Sequence, residues 1–316
     1  MCGRYASSRK PEDLVEAFEI DFLSGEGPGR DVTVPVAAAA KEAKDAGAED
    51  PKYPARTPGD ANWNVAPTTV QPVVLERMPR AVDDADEPDG AEGAGDPPPK
   101  PEPVRWLRGL TWGLVPSWAK DPSTGARMIN ARAESLFEKP AFRRAVVARR
   151  CLVPADGWYE WQKSPTETDA KGKPRKQPFW MQPAEGGGLA FAGLYELWRD
   201  KERDGDDPEA WLATYTIVTT AAEPGLDVIH DRMPFVMPPE RWDQWLDPEL
   251  QDPDTVRALL EPPAPGRFTA TPISTRVNNV RNNGPELLEP LPVEELRGVV
   301  DPATGELIGA GDQPLF

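Results

Sequence analysis

The chain begins Met1-Cys2-Gly3-Arg4, carries its second and last cysteine at Cys151, and has one histidine, His230. A small residue at position 2 generally permits removal of an initiator methionine. Cys2 would then hold a free α-amine and a thiol on one residue, a 1,2-aminothiol. The amine ordinarily titrates at about 7.7–8.0 and the thiol at about 8.5, so both are nucleophilic near neutral pH. An aldehyde meeting the pair condenses with the amine to a Schiff base, and the sulfur then closes a five-membered thiazolidine ring. Only a residue at a chain start has this option. Such a condensation needs proton donors and acceptors, and His230, with an ordinary pKa of about 6.5, suits that task. Each residue also has a plainer use: Cys2 in a frayed terminus, His230 as a hydrogen-bonding group of the surface or core, and Cys151 as a buried strand thiol.

Elements able to position these residues alternate with stretches that cannot. Residues 24–61 and 81–103 mix Ala, Gly, Pro and acids without an apolar period, and they bury too little to offset the entropy of ordering. They read as long flexible insertions; 164–176 and 199–209 read as hairpin or connecting loops, and 299–316 as a loosely held acidic tail. Short runs rich in β-branched or aromatic residues predict strands at Val70–Leu75, Leu110–Leu114, Arg150–Pro154, Phe179–Met181, Leu189–Leu194 and Thr214–Thr219. Helical periods lie at Lys10–Phe18, Ala141–Val147, Pro239–Leu246 and Asp254–Leu260. Strands outnumber helices and do not alternate with them. The expected fold is therefore α+β, a single domain over 1–298 built on a curved, barrel-like, mostly antiparallel sheet with peripheral helices.

The net charge is −17, with 39% hydrophobic residues, which is the composition of a soluble protein. That charge argues at first sight against nucleic acid, because non-specific binding to phosphates is electrostatic. Its distribution matters more. Residues 82–102 hold eight acids and one base, 200–209 six and two, and 286–316 seven and one. The rest of the chain is near neutral and leaves room for a local basic groove. No apolar run reaches the roughly 18 residues of a membrane helix, and the N-terminus lacks the apolar segment of a signal peptide. The expectation is a cytoplasmic protein with reduced thiols and no membrane partner. Two Cys and one His cannot make a four-ligand zinc site, and no phosphate-cradling glycine motif joins a strand to a helix. No metal, organic cofactor or nucleotide cofactor is expected.

Four further segments supply context: Asn64-Val65-Ala66-Pro67, Met128-Ile129-Asn130-Ala131-Arg132-Ala133-Glu134, Ala155-Asp156-Gly157-Trp158-Tyr159-Glu160-Trp161 and Ile229-His230-Asp231-Arg232-Met233-Pro234. With MCGR, in this order, they resemble the SRAP family (SOS response-associated peptidase). The resemblance implies covalent attachment to abasic sites in single-stranded DNA through the N-terminal cysteine, in the DNA damage response. It places the nucleophile at Cys2 and assigns catalytic parts to Asn130, Glu160 and His230. An opened abasic sugar exposes a C1′ aldehyde; His230 would move protons during ring opening, Glu160 would orient the amine or exchange protons with the Schiff base, and Asn130 would hold the amine or the sugar oxygen. The resemblance also implies phosphate contacts at Arg4, Arg132 and Arg232, for which guanidinium is suited. Pro67 and Trp118 are candidates to wedge or stack against exposed bases.

Without the resemblance, Glu160 could equally be the solvent face of an alternating strand. The Asn278, Asn279, Asn282, Asn283 turn could touch either backbone or DNA. Competing functions are a cysteine peptidase using Cys2, Glu160 and His230 on other proteins or on its own N-terminus, and a non-covalent reader of single strands or modified bases. The Schiff base also admits β-elimination, a lyase activity.

Overall fold

The computed structural model describes residues 2–23, 60–78, 101–204, 207 and 210–309. The two insertions lie outside the described residues apart from 60–61 and 101–103, as do part of the 199–209 loop and the tail beyond 309. In chain order the strands are β1 (Tyr5–Ser7), β2 (Phe22–Leu23), β3 (Asn62–Val65), β4 (Val70–Arg77), β5 (Val104–Trp112), β6 (Asn130–Arg132), β7 (Arg150–Ala155) and β8 (Gly157–Thr168). They continue with β9 (Pro174–Pro183), β10 (Leu189–Arg199), β11 (Trp211–Ala221), β12 (Arg232–Pro234), β13 (Phe268–Pro272), β14 (Val299–Val300) and β15 (Leu307–Ile308). The α-helices are short: α1 (Pro11–Ala17), α2 (Ala145–Ala148), α3 (Trp242–Leu246) and α4 (Pro253–Leu259).

Five strands close on themselves. β11 pairs β10, β10 pairs β7, β7 pairs β4, β4 pairs β5, and β5 returns to β11 through Thr111↔Thr214 and Trp112↔Tyr215. Only that closing pair is parallel, and closure removes the exposed edges of an open sheet. β6 and β12 extend the wall along β11, β2 pairs β5, and a second sheet runs β13-β9-β8-β1-β3. The fold is thus α+β, one domain on a curved, barrel-like, mostly antiparallel sheet with peripheral helices, as the pattern of runs implied.

Successive residues of the barrel strands enter different cores. Val73, Cys151, Val153, Phe191, Tyr215 and Ile217 point inward with Trp112, whereas Val74, Leu152, Ala192 and Val218 point outward to Leu14, Phe18 and Trp245 on the helices. Both faces are buried, which is why these strands read as continuous apolar runs. Strand ends extend past these apolar runs. β5 begins at Val104, well before the apolar stretch at Leu110, because its charges are absorbed locally. Arg105 pairs Glu76 at 2.6 Å and Asp243 at 2.7 Å, and the Arg108 guanidinium lies 3.8 Å from the Trp106 ring centre. The helical period at Ala141–Val147 yields α-helix only at Ala145–Ala148.

Arg150 carries a structural load the sequence does not announce. It is 3% exposed, and its guanidinium donates to five carbonyls, those of Val146, Val147, Trp245, Asp247 and Leu250, at 2.5–3.1 Å. Four of them lie at the C-terminal ends of α2 and α3, where a cation suits the helix dipoles, and Leu250 lies in the turn that follows α3. Burial lowers the Arg150 pKa to about 10, which leaves it charged at neutral pH. Arg150→Leu removes one donor set from five carbonyls, of which Asp247 O keeps a second donor in Leu250 N at 3.3 Å. It is expected to cost about 3–5 kcal/mol in urea unfolding, and a loss under about 1 kcal/mol would contradict this account.

Past residue 298, where a loose tail was expected, Val299–Val300 and Leu307–Ile308 pair as a hairpin. Gln162 of β8 receives it like a strand, donating to Val300 O and accepting from Val300 N, both at 2.8 Å. Among the described residues no helix is long and apolar enough to cross a membrane.

Candidate active site

The N-terminal strand is held on both sides. Tyr5 lies opposite Val65 of β3 and Trp158 of β8, and Tyr159 N donates to the Arg4 carbonyl at 3.0 Å. Asp156 secures the far end, accepting from Ser8 N at 2.6 Å and pairing with Arg9 at 3.7 Å. Gly157, between these two segments, has no room for a side chain: a Cβ there would stand 2.2 Å from Met181 O. Cys2 is therefore presented from a fixed strand. Asn130, at the start of β6 opposite Ile217, clamps it by donating from Nδ2 to the Cys2 carbonyl at 2.6 Å. The other amide atom, Asn130 Oδ1, is buried and accepts no hydrogen bond among the described residues.

Cys2 is fully buried, and burial pushes its thiol well above the usual range, with the Glu160 charge adding to the effect. Glu160 is 2% exposed on the face of β8 it shares with Trp158. Burial raises its carboxyl to about 7, opposed by the positive amino terminus and supported by Asp231. A group at that value is both donor and acceptor at neutral pH.

His230 lies just before β12, where Ala222 N donates to Asp231 O and Arg232 faces Ala221. Its pKa is lowered, first by burial and then by the amino terminus. Two contacts at Nδ1 ask for opposite protonation states: Arg232 N donates to it at 3.0 Å, while Asp231 Oδ1 lies 2.8 Å away. The lowered pKa favours the neutral ring, which accepts from Arg232 N and keeps its proton on Nε2. A protonated ring would turn the same nitrogen into a donor to Asp231. Cys2, Asn130, Glu160 and His230 thus converge from four separate segments.

The three arginines differ. Arg132 is exposed at the end of β6. Arg232 forms a two-pronged pair with Glu134 at 2.6 and 2.9 Å and donates to Thr219 O at 2.6 Å. Arg4 donates to Asn64 Oδ1 at 2.7 Å and to the carbonyls of Val277 and Asn278. Pro67 is half-buried in the turn where Thr68 N meets Trp112 O, and Trp112 donates through Nε1 to Ile129 O, next to Asn130. Trp118 is 62% exposed but set apart. Its neighbour Ala119 accepts from Trp198 Nε1, and Trp198 faces Leu212, five residues along β11 from Ile217, or about 17 Å. There it lines a cavity of about 490 Å³ with Lys120 and Arg199.

Asn64, in the Asn64-Val65-Ala66-Pro67 segment, ties the N-terminal strand to the asparagine-rich turn. Its amide accepts from Arg4 and offers Nδ2 to the carbonyls of Val277, Asn279 and Asn282, each at 3.1 Å. The asparagine-rich turn is therefore a backbone lock, with Asn283 bridging Trp63 N and Ala61 O, and Asn278 accepting from Trp161 Nε1. Partners more than 200 residues away left no signal in the local sequence. Asp231 and Tyr215 were also missed; Tyr215 shares a 2.7 Å hydroxyl contact with Tyr5 beneath Cys2. Cys151 is a buried strand thiol raised by burial, with Gly193 packed on its sulfur. Among the described residues no three His, Cys, Asp or Glu side chains gather as a metal site.

The family model for SOS response associated peptidase (SRAP) matches residues 1–280. The chain is 42% identical over 289 residues to the abasic site processing protein YoqW of Bacillus subtilis, covering 92% of this chain and 99% of that one. It is 28% identical to the abasic site processing protein HMCES of Xenopus tropicalis, over 94% and 81% of the two chains. A crystal structure of a Bacteroides thetaiotaomicron protein shares the fold, with a TM-score of 0.62 at 21% identity, covering 92% of this chain and all of that one.

Proposed function

The chain belongs to the SOS response associated peptidase family, and on that premise we propose that it processes abasic sites in single-stranded DNA by closing a thiazolidine between Cys2 and the C1′ aldehyde of the lesion. The observation that carries the reading is the 2.6 Å bond from Asn130 Nδ2 to the Cys2 carbonyl, which fixes Cys2 where its thiol feels the charge of Glu160, a buried carboxyl raised to about 7. In the full chain that nitrogen is an amide and the thiol is buried, so Met1 must be removed before the chemistry can begin. The unpartnered Asn130 Oδ1 is then the natural acceptor for the freed amine.

The steps balance as follows. Ring opening takes the proton from the C1′ hydroxyl, breaks the C1′–O4′ bond and protonates O4′; Glu160 is the acceptor and the His230 Nε2–H the donor. The amine adds to C1′, and loss of water gives the Schiff base. The sulfur then bonds to C1′ as the thiol proton passes to nitrogen. A thiol raised by burial suits this order, in which the amine acts first and sulfur second. A cysteine peptidase needs the reverse, a thiol lowered toward neutrality. Schiff base that escapes closure permits β-elimination of the 3′ phosphate.

Of the three guanidiniums, Arg132 meets phosphate directly. Arg232 does so only in exchange for Glu134, and Arg4 acts by fixing the 277–283 turn. Pro67 meets bases next to the lesion, and Trp118 stacks one several nucleotides away.

Intact mass tests the proposal. The purified protein is expected to lack Met1, and after incubation with an abasic oligonucleotide its mass should rise by that of the DNA less one water. Retained Met1, an acetylated amine, or reversible salt-sensitive binding with no adduct would overturn it; the last outcome favours a non-covalent reader.

A further inference from the structure

Beyond Glu160, β8 and β9 continue as a hairpin arm with its turn at residues 169–173. Residues 163–176 hold five cations, Lys163, Lys171, Lys173, Arg175 and Lys176, against Glu167 and Asp169, in a chain of net charge −17. The four lysines are exposed, and among the described residues none lies within ion-pair distance of a carboxylate. Asp169 is spent on the turn, accepting from Lys171 N and Lys173 N at 2.8 and 2.9 Å. Lys163 stands directly opposite Lys176 across the ladder, an arrangement that repels unless something anionic lies over it. Trp161 sits on the same face two residues back, half-buried, its indole held by Asn278 Oδ1 at 2.7 Å. Asn278 also accepts through its carbonyl from Arg4 Nη2 at 3.4 Å, so this face, opposite Glu160 on β8, adjoins the N-terminal segment that carries Cys2. From Lys163 to Thr168 it runs about 17 Å.

We propose that this arm is a track for the single strand leaving the site, with Lys163, Lys176, Lys171 and Lys173 on its phosphates and Trp161 stacked on a base. A rigid ring set among mobile cations is the pattern by which single strands are held without regard to sequence. The assignment rests on the proposed function, and it names where the flanking strand lies.

The test is binding of a fluorescent oligothymidylate without an abasic site, titrated at several salt concentrations. Changing Lys163, Lys171 and Lys176 together to Gln should weaken binding at least about tenfold at low salt and make the slope of log affinity against log salt shallower by about 2. Lys176→Glu separates binding from folding, since it puts opposite charges across the ladder. It should melt no lower than wild type yet bind the strand more weakly. Wild-type affinity and slope in both variants would overturn the track and leave the crosslinking proposal standing. A wild-type protein with no salt-sensitive binding at all would overturn both. Lys139→Gln, at an exposed lysine remote from the arm, is expected to leave the slope unchanged.

Discussion

Cys2→Ala protein, freed of Met1, is expected to yield no denaturation-resistant adduct with abasic single-stranded DNA, the signal falling to background. Alanine retains the α-amine, so the Schiff base still forms, but nothing closes the ring and hydrolysis returns the aldehyde. Borohydride added during the reaction should therefore restore an adduct with the variant, by reducing the imine to a stable amine. The pair of results distinguishes loss of sulfur from loss of the site. Folding is a minor concern: the residue is fully buried, and a small truncation there costs about 1–2 kcal/mol against a total of about 5–15. A Cys2→Ala adduct that survives denaturation without borohydride would place the covalent bond elsewhere.

Glu160→Gln should slow crosslinking by about 10²–10⁴, the usual contribution of a positioned acid or base, while stabilising the fold at high pH. The carboxyl rises from 4.5 to about 7 through burial. Between those values the folded protein keeps a proton that the unfolded chain has released, so stability falls as pH rises through this window. Above it, ionising the buried group costs about 3 kcal/mol. Glutamine removes that cost. Urea titrations should show the variant more stable by about that amount at pH 8 and equal to wild type at pH 4.5. Wild-type crosslinking should also bend near pH 7, and the variant's should not. Equal stability at pH 8 would mean that Glu160 is not a buried carboxyl of raised pKa.

The contrast with Arg150 is instructive. Both are buried charges, yet Arg150 satisfies five carbonyls and stabilises two helix ends, whereas Glu160 acts on the buried Cys2 thiol at a cost to the fold. A group held at a cost in stability and placed against a nucleophile marks a functional site more clearly than burial alone.

Residue type and local order determined a good deal about this protein. The aminothiol that Cys2 would carry once Met1 is removed is a matter of covalent chemistry, independent of fold. Helices α1, α3 and α4 and the centres of β4, β7, β10 and β11 follow from apolar spacing and flanking prolines, because those signals act over a few residues. The five segments carrying the family resemblance are local strings as well. Tertiary structure alone decided what depends on distant partners. It closed the barrel through β5 and β11, a pairing across about a hundred residues. It absorbed Arg105 and Arg108 within a strand, and turned the asparagine cluster into a lock on Asn64. It gave Arg232 to Glu134 and set Trp118 beside the Trp198 end of β10. Above all, it buried Glu160 beside the chain start, and since a pKa is set by the solvent and charge around a group, no local string of residues could have shown that this carboxyl titrates near neutrality.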